Sequence, residues 1–434
     1  MLNKRNRETI LFLLVFLCVL IGVILVDLSN FGGISMGAVF FIGILFLLFL
    51  AAHLSCRFFL PNADYFFLPS AFFLVSLGTI MIYRLKPDLV WLQLLWVGLS
   101  ILATMLVLIF FGGKNYRLIK NYKYVCALTG VVLLLLPAFL GREIHGAKLW
   151  LRIGSLSFQP AEVAKILIII FLAAYLKEKS ELLSTVTRRV GKIGVPDLKH
   201  FGPLLVMWAV SLIILIFEKD LGSSLLFFGT FLAILYVATG RVAYIIAGGA
   251  LFVVGATACY GFFPHVQTRI DIWLNPWLDA NGKGYQIAQS LFAIASGGIS
   301  GSGLGQGFPL HIPAVHTDFI FSAICEELGF LGGVAVSVVY LLIAYRGLKV
   351  GLQTEDIFGK LLAVGLTSIF AIQSWVIMAG VTRLIPLTGI TLPFMSYGGS
   401  SMLSNFILLG FLLSISAETS SENNELLEGV INDE

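Results

Sequence analysis

Apolar residues run in windows of about twenty along this chain, each closed by a charge, a glycine or a proline, a pattern that predicts membrane-crossing helices. Helices are expected near 9–28, 36–55, 64–83, 91–112, 124–140 and 160–176, then near 203–217, 222–239, 243–263, 318–345, 357–380 and 397–417. Twelve spans place both termini on one side of the membrane. A hydrocarbon core about 30 Å thick takes roughly 20 helical residues per crossing, so spans and short connections use up nearly all of the chain. The expected fold class is an all-α polytopic membrane protein.

Composition supports a bilayer as the main solvent: 58% of the 434 residues are apolar, 12% are charged, and the mean hydropathy is +0.96. The formal net charge of +4 is too small, and its residues too scattered, for a nucleic-acid surface. The positions of the charges are more telling. With a cytoplasmic N-terminus, 18 of the 28 Lys and Arg residues fall on the cytoplasmic side, nine fall outside, and Lys165 lies within a span. Five of the nine cluster in two outer loops, 141–160 and 264–317, which puts the expected chemistry at the outer leaflet. The run at 9–28 follows Lys4, Arg5 and Arg7 but is too long for a secretory signal and has no small-residue cleavage site, so it reads as a retained first span. Cys18, Cys56, Cys126, Cys259 and Cys325 show no metal-like spacing and read as packing residues. The polar, acidic stretch after Ser416 is expected to be disordered in the cytoplasm.

Within the sixth span, Glu162 and Lys165 stand three residues apart on one helical face. A charge at membrane depth costs about 2.5 to 3.5 kcal/mol on insertion scales, so the two are expected to pair and to line a wet cavity. The preceding loop adds Arg142, Lys148 and Arg152 beside Trp150, cations suited to a diphosphate headgroup. The second loop holds Arg269, Asp271 and Asn275-Pro276-Trp277-Leu278-Asp279, then Gly282-Lys283-Gly284-Tyr285 and a glycine-rich run over 297–307. That run is not a nucleotide motif, because no strand precedes it and no Gly-Lys-Ser/Thr closes it. Residues 285–295 read as a short interfacial or re-entrant helix, too short to span. His316 and Asp318 suit an interfacial role better than a metal site, since a two-residue helical spacing points them apart. Glu326 and Glu327 cannot share a helical face, so at most one of them can look into a cavity, and the sequence does not choose. Pro393 to Ser401, including Ser400, give a Pro/Gly-interrupted approach to the last span, a backbone tolerated at depth where it lines a cavity.

Taken in order, Gly146-Ala-Lys-Leu-Trp150, Phe158-Gln-Pro-Ala-Glu-Val-Ala-Lys165, Asp220-Leu-Gly222, the stretch 275–289, His316-Thr-Asp-Phe-Ile-Phe321, Glu326-Glu-Leu-Gly329 and Ser396-Tyr-Gly-Gly-Ser-Ser401 resemble the shape, elongation, division and sporulation (SEDS) family, that of RodA, FtsW and SpoVE. The resemblance covers roughly 64–416 and implies a ten-helix core. It divides the chain into an extra N-terminal helix pair (1–60), a glycosyltransferase core (61–417) with its large outer loop at 264–317, and an acidic tail (418–434). It also implies a peptidoglycan glycosyltransferase of the bacterial cytoplasmic membrane, acting on lipid II beside a class B penicillin-binding protein. The family's catalytic Asp, a few residues before Gly-x-Gly-Tyr, corresponds to Asp279. Candidate contacts for the diphosphate and cavity are Arg142, Lys148, Arg152, Glu162, Lys165, Arg269, His316, Asp318, Glu326 and Ser400, with room for a divalent cation, Mg or Mn, whose ligands no motif identifies. Ala161 stands where Ser is common, His145 where Asn is common, and Glu218-Lys219-Asp220 where Gln-Pro-Asp is frequent, departures that bear on subgroup. The competing readings are a flippase for a lipid-linked precursor and a non-catalytic scaffold. A flippase should expose polar residues to both faces, whereas these gather at the outer side.

Overall fold

A computed structural model of the chain describes residues 4–144, 147–154, 156–184, 188–190, 193–195 and 220–432, together with Ala209 and Ile213. Helices dominate: α1 (Lys4–Phe31), α2 (Met36–Phe59), α3 (Phe67–Leu85), α4 (Pro87–Phe111), α5 (Lys123–Leu140), α6 (Pro160–Ser184), α7 (Leu221–Thr239), α8 (Val242–Phe262), α9 (Pro264–Leu274), α10 (Tyr285–Gly297), α11 (Ile320–Gln353), α12 (Ile357–Val381) and α13 (Gly399–Asn432). Among the described residues ten helical segments are long and apolar enough to cross a membrane. The chain is an all-α polytopic membrane protein. Apart from Ala209 and Ile213, the span expected near 203–217 lies outside the described residues, and the one expected at 160–176 falls within α6.

Local chemistry explains where these helices begin and end. Ser35 caps α2 by accepting a bond from the Ala38 amide (3.1 Å), and Asp220 caps α7 by accepting from the Ser223 amide (3.0 Å). Pro87 opens α4, where a missing N–H costs nothing, and Gly240 stops α7 in the left-handed region at φ 67°. Gly329 breaks α11 at φ 69°, ψ −170°, so the segment is two helices joined at a kink. Two sequence expectations are corrected here. The first outer loop is no plain loop but a three-stranded antiparallel meander of β1 (Arg142–Ile144), β2 (Ala147–Ile153) and β3 (Leu156–Phe158), with Arg152 opposite Ser157. A hydrogen-bonded meander satisfies backbone groups that an irregular loop near lipid would leave open. The acidic tail, expected to be disordered, instead continues α13 to Asn432, its Glu and Leu residues being good helix formers.

The chain divides into two compact units. The first comprises residues 1–113, 268–346 and 373–434. Its α4 and α13 run side by side: a Cβ at Gly399 would lie 2.0 Å from the Trp96 ring, and Thr104 donates to the Phe406 carbonyl at 3.0 Å. Phe49 of α2 stacks on Phe72 of α3 at 4.0 Å between centroids, and Arg346 pairs with Asp64 at 3.1 Å. The second unit comprises residues 114–267 and 347–372. There α5 lies against α6, where a Cβ at Gly130 would meet Ile168 at 3.0 Å, and Asp356 receives Lys177 at 2.9 Å. No residue of α8 is buried, an all-apolar surface that suits lipid.

Candidate active site

Asp279 ends a single 3-10 turn, Pro276–Asp279, that follows α9. The Asn275 side chain caps this turn by accepting from the Trp277 amide at 3.1 Å, and Pro276 supplies a preset φ. The chain then folds back on Asp279: its carbonyl accepts from the Gly282 and Gly284 amides (3.1 and 3.0 Å), and its carboxylate accepts from the Lys283 amide (2.9 Å). A Cβ at Gly282 would stand 2.4 and 2.6 Å from the two carboxylate oxygens, so a side chain there would push the Asp279 carboxylate from its place. The Asp279 side chain is exposed. A fixed, exposed carboxylate with one of its roughly four lone-pair sites used is equipped to accept a proton.

Two arginines hold the segment that carries this turn. Arg383 donates to the carbonyls of Trp273 (2.8 Å) and Leu274 (2.6 Å), and the Trp273 indole donates back to the Arg383 carbonyl (3.2 Å). Arg383 itself sits at φ 62°, unusual for a residue with a Cβ. Arg269, on α9, donates to the Thr388 carbonyl at 2.8 Å. Asp318 lies close by, since a Cβ at Gly389 would be 3.6 Å from the Arg269 guanidinium and 4.0 Å from the Asp318 carboxylate. Beyond the turn, α10 is secured by Ser290, which shares a 2.7 Å hydrogen bond with Ser322 of α11 and donates to the Val381 carbonyl at 2.8 Å. The short helix expected at 285–295 is thus present, over Tyr285–Gly297, tied at its middle.

The glycine-rich run and the acidic pair belong together. Glu326 accepts from the Phe308 amide at 2.7 Å and Glu327 accepts from the Gly305 amide at 2.8 Å, with Arg84 of α3 3.6 Å from Glu327. Both carboxylates therefore serve the loop backbone. The sequence, which lets at most one of them look into a cavity, does not show that the kink at Gly329 and the folded-over loop bring a backbone amide to each. Glu326, a candidate substrate contact, is engaged in holding the loop.

His316 and Asp318 precede α11 in a turn, so the helical spacing assumed for them does not apply. The His316 carbonyl accepts from the Tyr397 amide (2.8 Å), and Ser396 donates to the Thr317 carbonyl (2.5 Å) while accepting from the Leu392 amide (2.9 Å). The two irregular segments, 314–318 and 392–397, are stitched together by these bonds. The His316 ring is half-buried, 5.8 Å from the Tyr397 ring, and its Nδ1 is buried without a hydrogen-bond partner. Burial, with Lys86 adding to it, holds its pKa below the ordinary 6.5. Ser400 Oγ is likewise buried and without a partner.

In the second unit, Glu162 and Lys165 form a buried ion pair at 2.5 Å near the start of α6, as their three-residue spacing implies. Arg152 is exposed on β2. The side chains of Arg142 and Lys148 lie outside the described residues. Sequence reasoning missed Arg84, Arg383, Ser290 and Ser322; their partners are carbonyls and hydroxyls far away in the chain, which no local motif signals.

With this geometry in hand, the family model described as a cell cycle protein of the FtsW, RodA and SpoVE type matches residues 85–421. The chain belongs to this family. Relatives include the peptidoglycan glycosyltransferase RodA of Mycobacterium tuberculosis, 42% identical over 430 residues (95% of this chain, 91% of that protein). Stage V sporulation protein E of Bacillus subtilis is 34% identical over 358 residues (79% and 94%). Among solved structures, a chain of a peptidoglycan synthase complex that coordinates polymerization and crosslinking is 26% identical with a TM-score of 0.68, over 82% of this chain and 98% of that one. The fold is shared with Thermus thermophilus RodA at 24% identity and a TM-score of 0.59 (82% and 96%). The family match begins at residue 85, so α1, α2 and all but the last residue of α3 precede it.

Proposed function

We propose that this chain is a peptidoglycan glycosyltransferase that polymerises lipid II into glycan strands at the outer face of the bacterial cytoplasmic membrane, in cell elongation or division. Family membership and the names of its relatives support the activity. The observation that carries the chemistry is Asp279, an exposed carboxylate held by the amide behind it. In this reading Asp279 takes the proton from a sugar hydroxyl of one lipid II as that oxygen attacks the anomeric carbon of the growing strand. The bond from that carbon to the diphosphate oxygen breaks, and undecaprenyl diphosphate leaves with the bonding electrons. One carboxylate suffices for such an inverting displacement, because a diphosphate departs as an anion without a general acid.

Arg142, Lys148, Arg152, Lys165 and Arg269 are proposed to neutralise the diphosphate, with Lys165 compensated by Glu162 when no substrate is bound. His316, Asp318 and Ser400 are proposed as polar contacts of the headgroup. Among the described residues no three His, Cys, Asp or Glu side chains converge as a metal centre, and no step is assigned to a divalent cation. A class B penicillin-binding protein is the proposed partner, supported by the solved relative that belongs to a synthase complex. The 18-to-9 division of basic residues supports cytoplasmic termini.

The test is the purified chain in proteoliposomes with its cognate penicillin-binding protein and lipid II, beside Asp279→Asn. The parent should make glycan strands and the Asn variant about 100 to 10,000-fold less, the usual cost of losing a general base. A parent that only moves lipid II across the bilayer would establish the flippase, and an inert parent that still binds its partner would establish the scaffold. An Asn variant near the parental rate would remove Asp279 from the chemistry.

A further inference from the structure

The N-terminal helix pair lies outside the family match, yet it is bonded into the outer loop. Asp27 of α1 is fully buried, and its carboxylate accepts from the Tyr83 hydroxyl of α3 and the Ser35 amide, both at 2.7 Å. A buried carboxylate is tolerated in a membrane bundle only with such donors, so Asp27 fixes the outer end of α1 against α3. Two residues on, the Ser29 hydroxyl donates to the Gly305 carbonyl (3.0 Å) and accepts from the Gln306 side chain (2.8 Å). Arg84, the residue after Tyr83, donates to that same Gly305 carbonyl (3.1 Å) and to Gly307 (3.2 Å), while Glu327 takes the Gly305 amide. Three helices, α1, α3 and α11, thus converge on one residue, Gly305.

The fit there is close. Gly305 lies at φ 85°, and a Cβ on it would be 2.9 Å from both Cβ and Oγ of Ser29. Leu304 also approaches α1, at 3.8 Å from the Cβ position of Gly22, which is seven residues before Ser29 and so on the same helical face. The loop held this way joins the end of α10 to the start of α11, and α10 starts at the Gly284 turn that closes over Asp279.

We propose that the α1–α2 pair is a positioning element for the outer loop, with Ser29 as its contact: it fixes Gly305 and, through α10, the placement of the Asp279 turn. This rests on the reading of Asp279 as the base. Alignments with mycobacterial relatives cover 95% of this chain and so reach into the pair, whereas the solved relatives cover 82%.

The test uses the full chain in proteoliposomes, comparing Ser29→Val, which removes the hydroxyl, with Ser29→Thr, which keeps it, and with Cys18→Ser on the exposed face of α1. Two readouts are taken: amide exchange over 300–310 and lipid II polymerisation resolved into kcat and KM. Ser29→Val should speed exchange at Gly305 and lower kcat about 10-fold, below the roughly 100-fold seen when a reacting group shifts by about 1 Å, with KM within twofold. Ser29→Thr and Cys18→Ser should match the parent in both. Unchanged exchange in Ser29→Val overturns the contact, and faster exchange with an unchanged kcat overturns its positioning role. Should Asp279→Asn polymerise normally, the base assignment fails while the exchange data still judge the brace.

Discussion

Arg383→Ala removes two charge-assisted hydrogen bonds from the segment just before the Asp279 turn, those to Trp273 and Leu274. Bonds from a charged donor are worth about 1.5 to 3 kcal/mol each, and Arg383 is half-exposed, so discounting for solvent leaves about 2 kcal/mol of local stability in the pair. That amount, about a 30-fold change in an opening equilibrium, is of the same order as the cost of roughly 1 to 2 kcal/mol that a residue with a Cβ meets in the left-handed region. The clamp is what offsets the strain. Amide exchange across 275–284 should therefore rise about 30-fold in the Ala variant, and lipid II polymerisation should fall about tenfold as Asp279 loses its fixed position. Arg383→Lys should recover only part of this, because an ammonium cannot fork between two carbonyls. Thermal unfolding of the helical bundle should hardly move. Exchange at parental rates in Arg383→Ala would refute the clamp, and a parental polymerisation rate with fast exchange would refute the need for a fixed turn.

Gly282→Ala should express and insert normally but lose activity by about 100-fold, since its methyl would occupy the space of the Asp279 carboxylate; glycan yield against inserted protein measures it. Glu162→Gln or Lys165→Met alone should destabilise by about 3 to 5 kcal/mol by leaving a buried charge uncompensated, and the double variant should unfold closer to the parent in a thermal melt. His316, with its pKa held below 6.5, binds fewer protons folded than unfolded, so stability should be full above about pH 6.5 and decline as pH falls through the lowered folded value. His316→Gln should flatten that decline in melts taken from pH 7.5 to 5.

Much of this was legible because it is local. Span positions follow from runs of apolar residues, and the Asp279 turn is signalled by Asn-Pro before it and two glycines after it. The Glu162–Lys165 pair follows from three-residue spacing on one helix. What the sequence withheld depends on distant partners. Glu326 and Glu327 looked like alternatives on opposite helix faces, but the Gly329 break and the returning loop supply an amide to each. Arg383 looked like an outer-loop exception to the charge rule, and only folding reveals the carbonyls 109 and 110 residues away that it holds. The meander at 142–158 escaped notice because strands of three to seven residues leave little periodicity to read.

Five carboxylates of the first unit divide into structural and accessible ones, while Asp88 and Asp271 of the same unit are exposed as Asp279 is. Glu326 and Glu327 each accept a loop amide, Asp27 accepts a tyrosine hydroxyl and an amide, and Asp318 is half-buried near Gly389. Glu326, Glu327 and Asp27 are thus each engaged in holding backbone or a hydroxyl of the fold. Asp279 accepts an amide too, but it alone among these five is exposed, at a turn whose glycine leaves no side chain over its oxygens. Water or a sugar hydroxyl can reach it without displacing a structural bond. Structural carboxylates fix the loop and an accessible one is presented by it, so replacing Glu327 should loosen the same turn that Asp279→Asn leaves intact. The two variants then separate in amide exchange while both lose glycan synthesis, and equal exchange in the two would contradict this division of roles.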